Sequence, residues 1–298
     1  MKRCLEDHPI LLADTPANTS TPSDISFVIG HRGMERLPHL LATLRSIAAQ
    51  SSVSLDCVVI EQDVESRIAS MLPAWVRHVH TPPPSIEMPY CRSWAFNIGV
   101  KHCRSDVIVL HDNDMLVPID YAASILSRVR QGCELINLKR FIFYLNKHHT
   151  TAVLRGNSDL LDNYPLAIVQ NLEAGGSVAV TRAGFERICG MDESFIGWGG
   201  EDNEFWERGQ TLCVWPYGNL PILHLWHAPQ PEKHQLGSAG HARLQHLTNV
   251  SVGQRISHLR TEVRGAMSGP FGWKPVDCVE SQFTSAQLAG VSGYEANT

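Results

Sequence analysis

The chain reads as an α/β protein with a mostly parallel central sheet, helices on both faces and a C-terminal helical extension. Three observations lead there. Apolar strand-like runs alternate with helix-periodic segments four times before residue 119. The runs are continuous, as in "VIVL" at 107–110, which suits strands covered on both faces. Carboxylates follow where such runs end, the place at which open α/β sheets bind ligands.

The elements follow in order. "ISFVIGHRG" is a first strand ending in a glycine-containing turn, and "ERLPHLLATLRSIAAQ" places Leu37, Leu40, Leu41 and Leu44 at helical spacing. "LDCVVIEQD" is a second strand ending in Glu61 and Asp63, "VESRIASML" a short helix, and "VRHVH" a third strand stopped by prolines. "YCRSWAFNIGVKHC" is helical and feeds the strand "VIVLHDND". Beyond it come a helix in "DYAASILSRVRQ", a strand in "ELINLKRFIFYL" and a polar span, 146–165, expected as a mobile loop. "GGSVAVTRAGFERICGMDESFIGWGGEDNEFWERG" then reads as strand, helix, glycine-rich loop and helix. The tail holds one amphipathic helix, "HARLQHLTNVSVGQRISHLRTEVRG".

Composition narrows the function. A chain of 298 residues with 43% hydrophobic content can bury a substantial core without staples. A formal charge of −5 and the lack of any long basic run argue against nucleic acid as the main partner. The eight cysteines are scattered with no CxxC pair, and residues 1–24 read as a flexible leader without a long apolar stretch. Reduced thiols and a cytoplasmic setting, with membrane association only through a partner, are the expectation.

Three clusters are able to carry chemistry. Asp112 and Asp114 form a D-x-D at a strand end, which suits a hard divalent cation and substrate phosphates, or else a solvated Asx turn. His224 and His227 lie three apart in the apolar segment "ILHLWH" and are either metal ligands or ordinary histidines. Trp198, Glu201 and Asp202 sit in "GWGGEDNEFWERG", where the acids serve as helix caps or as a base beside a sugar platform.

The order "HDNDMLVP", "FIGWGGEDNEFWERG", "ILHLWH" resembles the metal-dependent nucleotide-sugar glycosyltransferases of the Rossmann-like GT-A fold, in particular the galactosyltransferase-like group, over roughly residues 25–230. The resemblance implies a GT-A domain over 25–234, after the leader and before an extension at 235–298. It implies a hexosyltransferase that uses Mn²⁺, or else Mg²⁺, with a UDP-sugar donor and a glycan or glycoconjugate acceptor such as a surface polysaccharide. Asp114 then matches the direct metal ligand, and Asp112 a contact to ribose or to the metal's water shell. His227 matches the metal-binding histidine, and His224 stands where a methionine ligand is usual. Asp202 matches the catalytic base of an inverting enzyme, and Glu201 and Trp198 match acceptor positions. Arg92, Tyr90, His31, Arg32, Arg36 and Asp63 fall at donor positions, with Glu61 an alternative to Asp63. The 146–165 span becomes a candidate lid. Two rivals stay open, a sugar nucleotidyltransferase and a non-catalytic glycan- or nucleotide-binding module.

Overall fold

The computed structural model of the chain describes residues 1–157, 164–228 and 239–271. In chain order these form α1 (Lys2–Asp7), β1 (Ile25–His31), α2 (Leu37–Ala48), β2 (Leu55–Glu61), β3 (Arg77–His80), α3 (Arg92–His102), β4 (Val107–His111) and β5 (Met115–Leu116). There follow α4 (Tyr121–Arg130), β6 (Leu135–Ile136), β7 (Lys139–Tyr144), α5 (Lys147–Leu154), β8 (Ala167–Gln170), β9 (Ser177–Thr181) and α6 (Arg182–Arg187). The last elements are α7 (Glu201–Gly209), β10 (Val214–Trp215), β11 (Leu220–His224), α8 (Ala239–Leu247) and α9 (Val252–Arg260).

A large sheet runs β10-β6-β9-β4-β1-β2-β3. Its centre, β4-β1-β2-β3, is parallel, and β9 runs antiparallel between β4 and β6. The continuous apolar runs are explained by cover on both sides. Phe27 and Ile29 pack with Leu40, Leu44 and Ile47 of α2, while Val28 packs with Trp94, Ala95 and Ile98 of α3. Each such burial contributes about 1.5–3 kcal/mol, so the parallel centre is a rigid base whose carboxyl ends point one way. The expected mixed α/β architecture is found.

The second sheet, β5-β11-β7-β8, has no counterpart in the sequence reading. It pairs His224 of β11 with Met115 of β5 and with Tyr144 of β7. That register sets His224 beside the turn that follows β4.

Several local expectations change. Residues 1–24, read as a flexible leader, include α1 and bury Leu5 and Ile10 in a cluster with Phe143 and Leu223 of the small sheet. Their apolar spacing is too short to announce a helix, and a tertiary partner supplies the stability. The short helix expected at 64–72 contracts to a 3-10 turn, Ala69–Met71. The span 146–165 contains α5, capped by the Asn146 side chain, with Thr150 and Val153 buried, and 158–163 lie outside the described residues. The single tail helix is two helices, because Ser251 and Gln254 form a capping box that starts α9 anew. The expected domain boundary at 234/235 and the tail from 272 onward lie outside the described residues.

The helix α9 is held by charge as well as by packing. Arg255 reaches Glu207 at 2.8 Å and Glu204 at 3.5 Å, and Glu204 also pairs with the fully buried Arg208 at 2.7 Å. The extension is thereby locked to α7, the helix that begins with Glu201 and Asp202.

Candidate active site

The strands β1, β2 and β4 end at His31, Glu61 and His111, and the candidate residues gather at these ends. The turn after β4 is pinned on both sides. The Asp112 N–H donates to the Gly176 carbonyl at 2.8 Å, and the Leu225 N–H donates to the Asp114 carbonyl at 2.9 Å.

Asp114 is buried, and its Oδ2 lies 3.4 Å from His227 Nε2 and 3.7 Å from His224 Nε2. One ligand atom from each of the three falls within 4.8 Å of the others. Burial alone raises a carboxyl pKa, yet His224, Arg36 and His227 outweigh it and hold Asp114 below the ordinary range. The Arg36 guanidinium donates to the same carboxylate. Burial, and next the charge of Arg36, push His227 down, which favours the neutral imidazole that a metal needs. His224 stacks on Tyr144 with ring centres 4.4 Å apart, and His39 Nε2 lies 2.9 Å from the Trp226 carbonyl, so both histidines sit on a fixed segment. One carboxylate oxygen and two imidazole nitrogens fit Mn²⁺.

A second group centres on Arg92, the first residue of α3. Its guanidinium bonds Asp112 Oδ1 at 2.7–2.8 Å, donates to Asp202, and lies 3.8 Å from Glu201. One cation thus draws together carboxylates from the turn after β4 and from α7. Burial is the main reason that Asp112 rises to about 6, with Arg92 opposing it. Gly197, Gly199 and Gly200 all have φ between 85° and 102°, so the loop needs its glycines, and Gly200 caps α7. Gly175 is needed for a different reason. A Cβ there would stand 2.8 Å from Asp202 Oδ2, and its φ is +74°. The loop before β9 is therefore the cradle of the Asp202 carboxylate. Trp198 lies 5.1 Å, centre to centre, from His241 of α8.

Glu201 carries a pH prediction. Burial, and next the charge of Asp202, raise its carboxyl from 4.5 to about 7. Between those values the native state keeps a proton that the unfolded chain has released, so this group's stabilisation is full below pH 4.5 and is lost as pH rises through 7. Glu201→Gln removes the loss. The variant's melting temperature should exceed that of the wild type by more at pH 8 than at pH 4, and an equal difference at both would refute the assignment.

The donor positions divide. Arg32 donates to the carbonyls of Gln62 at 2.6 Å and Met88 at 2.8 Å, while Asp63 accepts from the Gly33 N–H at 3.0 Å and pairs with Arg67 at 2.7 Å. Together they border a cleft of about 370 Å³ with Ile86. Glu61 is spent elsewhere. It accepts from Ser66, from the N–H groups of Arg67 and Ile68, and contacts His78, so Asp63 rather than Glu61 borders the cleft. His31 is buried, pushed down to about 4 by burial, and its Nδ1 lies 3.1 Å from Asn113 Nδ2. It faces the D-x-D turn rather than the cleft. The Tyr90 hydroxyl lies 2.0 Å from where a Cβ on Gly30 would be, which keeps the ring against β1.

The sequence reading missed Lys139. It is fully buried on β7, donates to the Ser177 carbonyl at 2.6 Å and the Glu173 carbonyl at 3.3 Å, and is pushed down to about 7 by burial while Asp202 and Asp112 pull it up. The signal was a lysine that follows Leu138 and precedes the apolar run Phe141–Phe143 in "ELINLKRFIFYL".

Residues 163–214, which include the Gly175 loop and the "GWGGED" segment, match the family model described as the N-terminal domain of galactosyltransferase. Over that segment the chain is similar to galactosyltransferases. Among galactosyltransferase relatives, β-1,4-galactosyltransferase 5 of Sus scrofa is 24% identical over 69% of this chain and 58% of its own length. The Danio rerio protein of the same name is 29% identical over 41% of this chain and 27% of its own. The chain thus spans a little over half of the Sus scrofa relative. Similar solved structures include the catalytic domain of Drosophila β1,4-galactosyltransferase 7 in complex with xylobiose, with TM-score 0.42, 16% identity and coverage of 74% and 79%. Another is a mannosyltransferase from Pyrobaculum calidifontis with GDP-Man and Mn²⁺, with TM-score 0.47, 14% identity and coverage of 86% and 69%. These galactosyltransferase relatives correct one expectation. The likeness to β-1,4-galactosyltransferases contradicts the cytoplasmic assignment, which is withdrawn. No helix among the described residues is long and apolar enough to cross a membrane.

Proposed function

We propose that this protein is an inverting, metal-dependent glycosyltransferase that moves a hexose or N-acetylhexosamine from a UDP-sugar to a hydroxyl of a glycan or glycoconjugate. Residues 25–234 form its catalytic unit in this reading. The observation that carries it is the Asp114–His224–His227 donor set beside the Asp112–Arg92–Asp202 bridge at the carboxyl end of β4.

Transfer breaks the bond between the sugar C1 and the β-phosphate oxygen, and negative charge grows on the departing diphosphate. Asp114, His224 and His227 would hold Mn²⁺, or Mg²⁺ in its place, and the bound ion would supply neutralising charge there. Arg92 is the protein's own cation beside the same acids and adds charge-assisted contacts to phosphate oxygens. Asp112 orients Arg92 and the donor ribose, while Arg32, Arg36 and Asp63 border the nucleotide. Tyr90 and His31 back this wall without reaching far into it.

The acceptor hydroxyl is a weak nucleophile until its proton is taken. Asp202 takes that proton, and Arg92 donates to its carboxylate and orients it. Attack from the side opposite the diphosphate inverts C1. Trp198 offers a face for the acceptor sugar, and Glu201 a hydrogen-bonding edge.

The test is donor cleavage. Purified protein is mixed with UDP-, GDP- and dTDP-sugars, with Mn²⁺ or with chelator, and the released nucleotide is quantified. Release of UDP from one sugar, abolished by chelator, is expected. Release of pyrophosphate would replace this reading with nucleotidyl transfer, and silence with no nucleotide binding would leave a binding module.

A further inference from the structure

We infer that His111, the last residue of β4, is a positioning residue that sets the shape of the D-x-D turn and thereby the affinity of the metal site. The inference rests on the proposed metal reading and adds to it a residue that touches neither metal nor donor.

The imidazole has no exposed surface and lies edge-on to Phe27, with ring centres 5.8 Å apart and planes at 87°. Both nitrogens are engaged. Nε2 is 3.0 Å from the Met115 carbonyl and Nδ1 is 2.7 Å from Ser177 Oγ. A carbonyl only accepts, so Nε2 carries the proton and Nδ1 of the neutral ring accepts from the Ser177 hydroxyl. The Ser177 oxygen in turn lies 2.7 Å from the hydroxyl of the fully buried Tyr121, which donates to it. The hydrogen bonds therefore run one way: Tyr121 to Ser177, Ser177 to His111, His111 to Met115.

The end of that chain matters. The bond from His111 to Met115 arches over Asp112, Asn113 and Asp114 and closes the turn from within. Met115 is also the register partner of His224 across the β5–β11 pair. One ring thus fixes the backbone that sets both Asp114 and the strand opposite it. The two backbone pins from Gly176 and Leu225 hold the turn's flanks but do not span it. Groups that orient ligands in this way typically control metal affinity by about 10–100-fold.

The experiment measures Mn²⁺ affinity of the full chain by the electron paramagnetic resonance signal of free Mn²⁺, with thermal unfolding as a check on folding. His111→Phe fills the same space without either bond and should bind Mn²⁺ about 10-fold more weakly or worse. His111→Gln places an amide N–H where Nε2 stands and should recover most of the affinity. His111→Asn reaches only towards Ser177 and should not. Equal affinity of wild type and the Phe variant, or of the Gln and Asn variants, overturns the inference. If wild type itself binds no Mn²⁺, the functional reading falls instead, so the two failures are told apart. If the Phe variant does not fold, the Gln and Asn pair decides.

Discussion

Asp114→Ala is expected to lower Mn²⁺-dependent release of UDP by about 1,000-fold or more, the size of effect seen when a main electrostatic stabiliser of a transition state is removed. The substitution deletes the one carboxylate that both imidazoles face, and the remaining nitrogens cannot cancel the charge of a divalent cation. It also leaves the Arg36 guanidinium without its buried partner, so some loss of thermal stability should accompany it. His224→Met is the informative companion. A thioether is a softer ligand than imidazole, so this variant should bind Mn²⁺ more weakly while keeping part of the turnover. Titration of UDP release against Mn²⁺ concentration measures both. Turnover of Asp114→Ala at the wild-type rate in the presence of chelator would sink the metal assignment.

The second large effect is expected at the other end of the site. Asp202→Asn keeps the shape that fits against Gly175 but cannot take a proton, and loss of a general base costs about 100- to 10,000-fold in rate. Because Asp202 is not among the metal-cluster residues, Mn²⁺ and UDP should bind to the variant much as to wild type. The expected signature is a fall in kcat for transfer at nearly unchanged donor affinity. An unaltered kcat would mean that another group takes the proton or that the protein does not catalyse transfer.

These two residues also mark how far the sequence carries. Asp114 was legible because it follows a continuous apolar strand, and strand burial is a local property that the run of Val107, Ile108, Val109 and Leu110 declares by itself. The order of D-x-D, W-G-G-E-D and H-x-x-H was legible for the same reason, since each motif is a few residues long. The second sheet was not. The paired partners of β5 and β11 lie more than 100 residues apart, and two-residue strands such as β5 carry no periodicity. Lys139 was passed over because a lysine in a strand looks solvated until its neighbours are known, and only the packing of β7 against the loop before β9 buries it.

The sequence alone determined the alternation of strands and helices, the ends of the buried strands and the residue types available there. Only the tertiary structure decided which of those residues meet. It brought His224 and His227 to Asp114 through the β5–β11 register, and it joined Asp112 to Asp202 through Arg92 across 90 residues of chain. The reason is physical. Burial and periodicity act within a segment and are written there, whereas a charge cluster exists only where separate segments exclude water from the same small volume.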